Sequence, residues 1–409
     1  MMRRHSCLII AVLFWGWTTT LAAADSAKKP LKVFILAGQS NMQGHARAET
    51  IHAMRLSPET APLLKDMVNS DGSYRVCDRV WISSIGSAKE EQTGHLTARF
   101  GAESSDPKIG PEFTFGITME KKYDGPILII KTAWGGKSLN TDFRPPSAGP
   151  YIYPEAQLQK FRDQKKDVDQ IVTERAKASG VYYRLMLDHV KSVLADIKRV
   201  YPEYDEALGY ELAGFVWFQG WNDMVDQGSY PNRDQPGGYD EYSRLMAMFI
   251  RDIRKDLEVP KLPFVIGVIG VGGPTSKYGP SQLRYKSVHQ NIRDAMAAPA
   301  KLPEFQGNVA AVLTENYWDL EVTALRQRES ALKPKVDEIN KAIKAGDVTR
   351  EVGQASIEKL YADEFNEREM ELLKKSVSNA EFHYLGSARI LGPIGKAFAD
   401  ALIEMDQKK

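Results

Sequence analysis

Three short segments of the chain combine residues able to do acyl-transfer chemistry, and each follows an apolar, β-like run. The first is Gly38-Gln39-Ser40-Asn41-Met42, directly after Leu31–Ala37 (LKVFILA). A serine at the carboxyl end of a buried strand stands at the rim where α/β sheets bind their ligands. Its hydroxyl is a weak nucleophile until a base removes the proton, so this segment predicts a histidine elsewhere in the chain. The second is Phe215–Met224 (FVWFQGWNDM), again a strand followed by a turn, where Asn222 offers a carboxamide donor. Attack on an ester carbonyl creates an oxyanion, and stabilising it requires preorganised N–H groups. The third, Thr132-Ala133-Trp134-Gly135-Gly136-Lys137-Ser138, follows Pro126–Lys131, and its glycines let a backbone N–H approach a substrate oxygen. Any one of these segments alone is ordinary turn chemistry; three in equivalent places are harder to ascribe to coincidence.

The base is expected at His383, in Asn379-Ala380-Glu381-Phe382-His383-Tyr384, just before the last helix. Of the seven histidines, His5 belongs to the leader, His189 sits in a helical apolar stripe and His289 on a helix. His45, His52 and His95 remain open by position, but a loop histidine at the sheet rim near the chain end fits the task best.

The elements that must hold these residues alternate in type. Leu31–Ala37, Arg79–Ser83, Pro126–Lys131, Ala213–Phe218, Pro263–Ile269 and Asn308–Leu313 read as strands, most of them apolar on both faces, as in a parallel sheet covered by helices. Val181–Val200, Tyr239–Leu257, Ser281–Met296 and Leu385–Met405 read as helices. The fold class is therefore α/β: a three-layer α/β/α sandwich with a mostly parallel sheet. Two segments read as insertions. Residues 147–179 form a Tyr-Pro-rich loop leading into a charged helix, and residues 321–375 form a charged helical hairpin turning at Ala345-Gly346-Asp347, expected to pack on the body with its charged faces solvated. The run Gly267–Gly273 lacks the Lys-Ser/Thr of a phosphate loop and the spacing of a dinucleotide turn, so it reads as a glycine-rich strand end. Asp223, Asp226 and Asp234 read as a solvated turn, leaving no metal site and no cofactor expected.

Composition sets the outer bounds. The 409 residues carry 54 Lys plus Arg against 53 Asp plus Glu, which removes the charge excess that nucleic-acid or polybasic membrane binding would need. Two cysteines exclude a disulfide framework and any thiolate-rich zinc site. Arg3, Arg4 and His5, an apolar run from Cys7 to Leu21 and then Ala22-Ala23-Ala24 have the form of a signal peptide over residues 1–24, so the mature chain is expected to be exported, with residues 25–409 as a single domain and no membrane attachment after cleavage.

GQSNM, the GG turn, QGxND and a carboxyl-terminal histidine, in that order, resemble the blocks of the SGNH hydrolases, in the branch holding sialate O-acetylesterases and the acetylxylan esterases of carbohydrate esterase family six. The similarity covers residues 31–320 and 379–405, with the insertions outside it. The resemblance implies an exported serine esterase that removes acetyl groups from carbohydrates. It implies Ser40 as nucleophile, His383 as base, and the Ser40 N–H, the Gly136 N–H and the Asn222 side chain as oxyanion donors. Gln39, Gln219 and Trp221 are expected to face the acetylated sugar, Trp221 by stacking on its ring where many relatives have glutamate. The family's Asp, three residues before His, is Ala380 here. Three readings stay open for the orienting acid: Glu381, a Ser-His dyad without one, or a distant carboxylate such as Asp223. Two other functions compete with the leading one: a glycan-binding relative that lost catalysis, and an esterase of non-carbohydrate esters.

Overall fold

The computed structural model describes residues 29–408; the leader expected at 1–24 lies outside them. Nine strands follow in chain order: β1 (Leu31–Gly38), β2 (Ala46–Arg47), β3 (Val80–Ile85), β4 (Gln92–His95), β5 (Lys108–Ile109), β6 (Ile127–Ala133), β7 (Tyr210–Phe218), β8 (Phe264–Val268) and β9 (Val309–Leu313). Seven form the central sheet in the order β4-β3-β6-β1-β7-β8-β9. All its pairings are parallel except that of β3 with β4. β2 and β5 make a separate antiparallel ribbon. The α/β expectation holds, and each strand read from the sequence is present; the edge strand β4 and the β2–β5 ribbon, with little apolar pattern of their own, were not foreseen.

Strand alternation explains the layers. Along β7, Phe215 and Trp217 point to one face, where both rings meet Phe249 of the helix Asp240–Asp256. Gly214 and Phe218 point to the other, against Leu402 and Phe398 of the carboxyl-terminal helix Ala388–Gln407. The Gly267 position has the same cause: a Cβ there would stand 2.6 Å from the Phe398 ring and 2.7 Å from that of Phe218. The glycine-rich strand end thus serves close packing.

Strand order brings the three chemical segments together. The strands that follow β1 in sequence, β3 and β6, lie on one side of it; the next three, β7, β8 and β9, lie on the other. β1 is flanked by β6 and β7 in a register that sets Gly38 beside both Ala133 and Phe218. The turns after β1, β6 and β7 therefore leave the sheet at one level, at the point where the chain changes sides, which is where open α/β sheets form their crevice.

The insertions are more helical than expected. Residues 147–179 hold two short helices, Glu155–Asp163 and Val168–Ala178, in place of a loop and one helix. The second has three helices, Leu320–Ala345, Arg350–Glu364 and Glu367–Lys375, the first two forming the hairpin. It is fastened to the body by Arg389 on Asp319 at 2.6 Å, Arg368 on the Leu56 carbonyl at 2.7 Å and Arg55 on Glu371 at 2.5 Å. No helix among the described residues is long and apolar enough to cross a membrane.

Candidate active site

The turn after β1 is built to hold a serine still. Gly38 has no room for a side chain, since a Cβ would lie 2.2 Å from the Phe218 carbonyl oxygen. Ser40 then opens a four-residue helix, Ser40–Gln43, and as its first residue keeps a backbone N–H that no helical carbonyl can take. Under this helix lies Lys131 of β6, fully buried, which donates to the carbonyls of Gln43 and Phe100 at 2.7 Å each and to Glu112 Oε2 at 2.8 Å. Burial pulls its ammonium below the ordinary lysine range, against the pull of Glu112. A positive charge under the carbonyl end complements the partial charge of the helix terminus.

Two buried side chains sew the three turns together. Gln39 Oε1 accepts from the backbone N–H groups of Gly220 (3.2 Å) and Asn222 (3.4 Å), while its Nε2 lies 3.5 Å from Ser40 Oγ. Asp223 accepts from Leu139 N (2.8 Å), Asn140 N (3.0 Å), Gln219 Nε2 (2.6 Å) and Tyr230 Oη (3.0 Å), tying the turn after β7 to the turn after β6. Burial raises its pKa to about 6, and those hydrogen bonds pull the other way. The Gly135-Gly136 loop passes Ser40 closely: a Cβ on Gly135 would be 3.8 Å from that of Ser40. The Asn222 side chain has no hydrogen-bond partner among the described residues.

His383 lies in the turn Glu381–Gly386, which packs against the Ser40 helix. The turn carries two consecutive left-handed residues, Tyr384 (φ 53) and Leu385 (φ 59). Such backbone costs energy for bulky residues and persists only when the surroundings fix it. Here the buried Tyr384 hydroxyl accepts from Gly270 N at 2.8 Å and meets Thr314 Oγ1 at 2.7 Å, while Ser378 N and Asn379 N both donate to the Leu385 carbonyl.

The hydrogen-bond partner of His383 is neither of the two carboxylates weighed from the sequence, Glu381 and Asp223. Its Nδ1 lies 3.0 Å from Asn379 Oδ1, and the same oxygen accepts from Ala380 N at 2.8 Å. A backbone N–H can only donate, so that atom of Asn379 is the acceptor oxygen and His383 Nδ1 must carry the proton. Nε2 is left with its lone pair, the form a general base needs. Glu381 is exposed, makes no hydrogen bond to the ring, and lines a neighbouring cavity instead. Asp223 is committed to its four donors. His45 stacks on His383 face to face, with centroids 3.8 Å apart and planes within 4°. Burial lowers the pKa of His383 to about 4 and of His45 to about 3, with Lys108 adding to both and the His383 charge to the second. Among the described residues, Ser40 Oγ and His383 share no direct hydrogen bond.

The other expected contact residues differ in surroundings. Gln39 and Gln219 are both buried, and Gln219 spends its amide on Asp223, the Lys137 carbonyl (3.1 Å) and Tyr242 (3.0 Å). They position the turns. Trp221 does face open space. With Phe382 (ring centroids 5.7 Å apart), Glu381, Tyr285, Arg233 and Arg284, it lines a cavity of about 530 Å³. The cavity adjoins the site through chain neighbours, Trp221 before Asn222 and Phe382 before His383. His52 rests on Tyr74, and His95 on Trp81 with Nδ1 on the Cys77 carbonyl; neither joins the site. Asn379 and His45 are the members that sequence reasoning did not place. The only signal for Asn379 was a side chain able to accept from an imidazole four residues before it.

The family described as "Carbohydrate esterase, sialic acid-specific acetylesterase" matches residues 30–306, more than half of the chain, a span that holds Ser40, Gly136 and Asn222 and ends before His383. No curated protein matches. Among solved structures, a protein from Arabidopsis thaliana is similar at 16% identity and a TM-score of 0.37, covering 70% of this chain and 86% of the other. A carbohydrate acetylesterase from Xanthomonas citri is similar at 12% identity and a TM-score of 0.37, covering 68% of this chain and 49% of the other. On the family match, the chain belongs to the carbohydrate esterase family of sialic acid-specific acetylesterases and is a carboxylic ester hydrolase.

Proposed function

We propose that the protein removes O-acetyl groups from carbohydrates through an acetyl-enzyme on Ser40. Ser40 Oγ attacks the acetyl carbonyl carbon as its proton passes to His383 Nε2. The Ser40 N–H, the Gly136 N–H and the Asn222 amide stabilise the oxyanion. The sugar oxygen leaves with the proton from His383, and water activated by the same ring releases acetate. The observation that carries this reading is the double acceptance by Asn379 Oδ1, which puts the proton of His383 on Nδ1 and leaves Nε2 basic, on a turn packed against the Ser40 helix. The hydrogen bond between nucleophile and base is one that tightens when substrate fills the site.

The alcohol half of the ester lies in the cavity beside Trp221 and Phe382, where flat apolar rings suit the faces of a pyranose. The basic start, apolar run and Ala22-Ala23-Ala24 support an exported enzyme. Acetate release from O-acetylated sialic acid, acetylated xylan and p-nitrophenyl acetate tests the carbohydrate assignment. Trp221→Ala should raise KM for the glycans far more than for the nitrophenyl ester. Equal effects on all three, or hydrolysis of the nitrophenyl ester alone, would contradict a carbohydrate substrate.

A further inference from the structure

The hydrogen bond from Asn379 leaves one freedom open. The ring is bonded through Cβ, and small rotations about its Cα–Cβ and Cβ–Cγ bonds still displace Nε2 while the Nδ1 contact stretches. His45 lies flat on the ring, centroids 3.8 Å apart and planes within 4°, and so blocks the turn from that face. Its place is itself fixed. It follows the Ser40 helix by two residues and precedes β2, and Ser378 ties the two segments by accepting from Arg47 N at 3.0 Å and donating to the Gly386 carbonyl at 2.6 Å.

His45 Nε2 is buried without a hydrogen-bond partner. An unsatisfied buried polar atom costs stability, and a phenyl ring of similar shape would remove that cost. What the imidazole supplies at this place is its face. A flat ring in face-to-face contact limits the rotation of its neighbour and excludes water from the covered face. That matters in a site whose orienting group is a neutral amide and not a carboxylate.

We infer that His45 is a positioning residue for the base: its ring, stacked on His383, holds Nε2 toward Ser40 and keeps water from that face. This rests on His383 being the base. The charged and titratable groups around the pair are Lys108 of β5, which acts on both rings, Lys131 of β6, which acts on His45, and Glu381 on the turn itself.

The test uses the full mature chain with p-nitrophenyl acetate, a substrate too small to depend on the sugar cavity. His45→Ala should lower kcat about 10-fold or more with KM little changed, the pattern of an interaction made in the transition state. It should also move the acid limb of kcat/KM upward from about 4 toward the ordinary histidine range, because water then reaches the exposed face of His383. His45→Phe keeps a face and removes the unsatisfied nitrogen; it should stay within about 3-fold of wild type and keep the low acid limb. Circular dichroism melts of both variants establish folding. A folded His45→Ala enzyme with wild-type kcat and acid limb overturns the inference, as does His45→Phe failing as badly as His45→Ala. His383→Ala, run alongside, separates the two levels: if it keeps wild-type turnover, the assignment of the base itself falls.

Discussion

Asn379 Oδ1 lies 3.0 Å from His383 Nδ1 and 2.8 Å from the amide nitrogen of Ala380, so one amide oxygen restrains one edge of the ring and sets the tautomer of the proposed base. Where a carboxylate would stabilise the imidazolium by charge, an amide can only orient it. Asn379→Ala should therefore lower kcat by about 10- to 100-fold, less than loss of a triad carboxylate costs. Asn379→Asp should keep or raise turnover while moving the acid limb to higher pH, because a negative charge favours the protonated ring. Glu381→Gln should leave turnover within about 2-fold of wild type. Steady-state kinetics against pH for the three variants checks the assignment, and a large loss in Glu381→Gln alone would return the role to Glu381.

Asn222 offers a side-chain amide with no partner among the described residues, next to a backbone N–H held by Gln39. Asn222→Ala should lower kcat by about 10² to 10³ with a smaller change in KM, as for a donor used on the oxyanion. A change confined to KM would make Asn222 a contact to the bound sugar.

Stability should fall in mild acid. Burial lowers the pKa of His45 to about 3 and those of His289 and His383 to about 4, below the ordinary 6.5. Between those values the unfolded chain binds protons that the native state refuses, so stability is full above about pH 6.5 and is lost as pH falls toward 4. Asp223, raised to about 6, acts with the opposite sign between its ordinary value and 6, and is outnumbered. Urea midpoints at pH 7.0, 5.5 and 4.5 should decrease in that order, and less steeply in His45→Phe; a flat or rising series would contradict the buried, neutral histidines.

The Lys131–Glu112 pair under the nucleophile helix is buried on both sides. Glu112→Ala strands an ammonium in the core and should cost about 3–5 kcal/mol. Lys131→Met with Glu112→Met should be markedly less damaging than Glu112→Ala, since no charge is left unpaired. Equilibrium denaturation of the two variants decides it.

Strands and the serine turn were legible because their signals are local. β1, β6 and β7 are apolar runs that end in Gly-containing turns, and the serine stands at a fixed offset from its strand. The base could be narrowed by elimination among seven histidines. Its partner could not. Ala380 occupies the expected place of an acid, and which nearby side chain reaches the ring depends on the left-handed pair Tyr384–Leu385, whose conformation is set by Gly270 and Thr314 far along the chain. The hydrogen bonds of Gln39 and Gln219 were hidden for a related reason: an amide beside a candidate nucleophile reads the same in sequence whether it points at a substrate or back into the turns. β4 was missed because an edge strand of Gln, Thr, Gly and His has no apolar alternation to show.

The central claim is a covalent acetyl group on Ser40. The most direct measurement is acid-quenched peptide mass spectrometry of the enzyme mixed briefly with excess p-nitrophenyl acetate, compared with Ser40→Ala and with protein blocked by a fluorophosphonate. The account predicts an acetyl adduct on the peptide containing Ser40, absent in Ser40→Ala, and the phosphonate on the same side chain. Wild-type acetate release by Ser40→Ala, or an adduct carried by another residue, would contradict it.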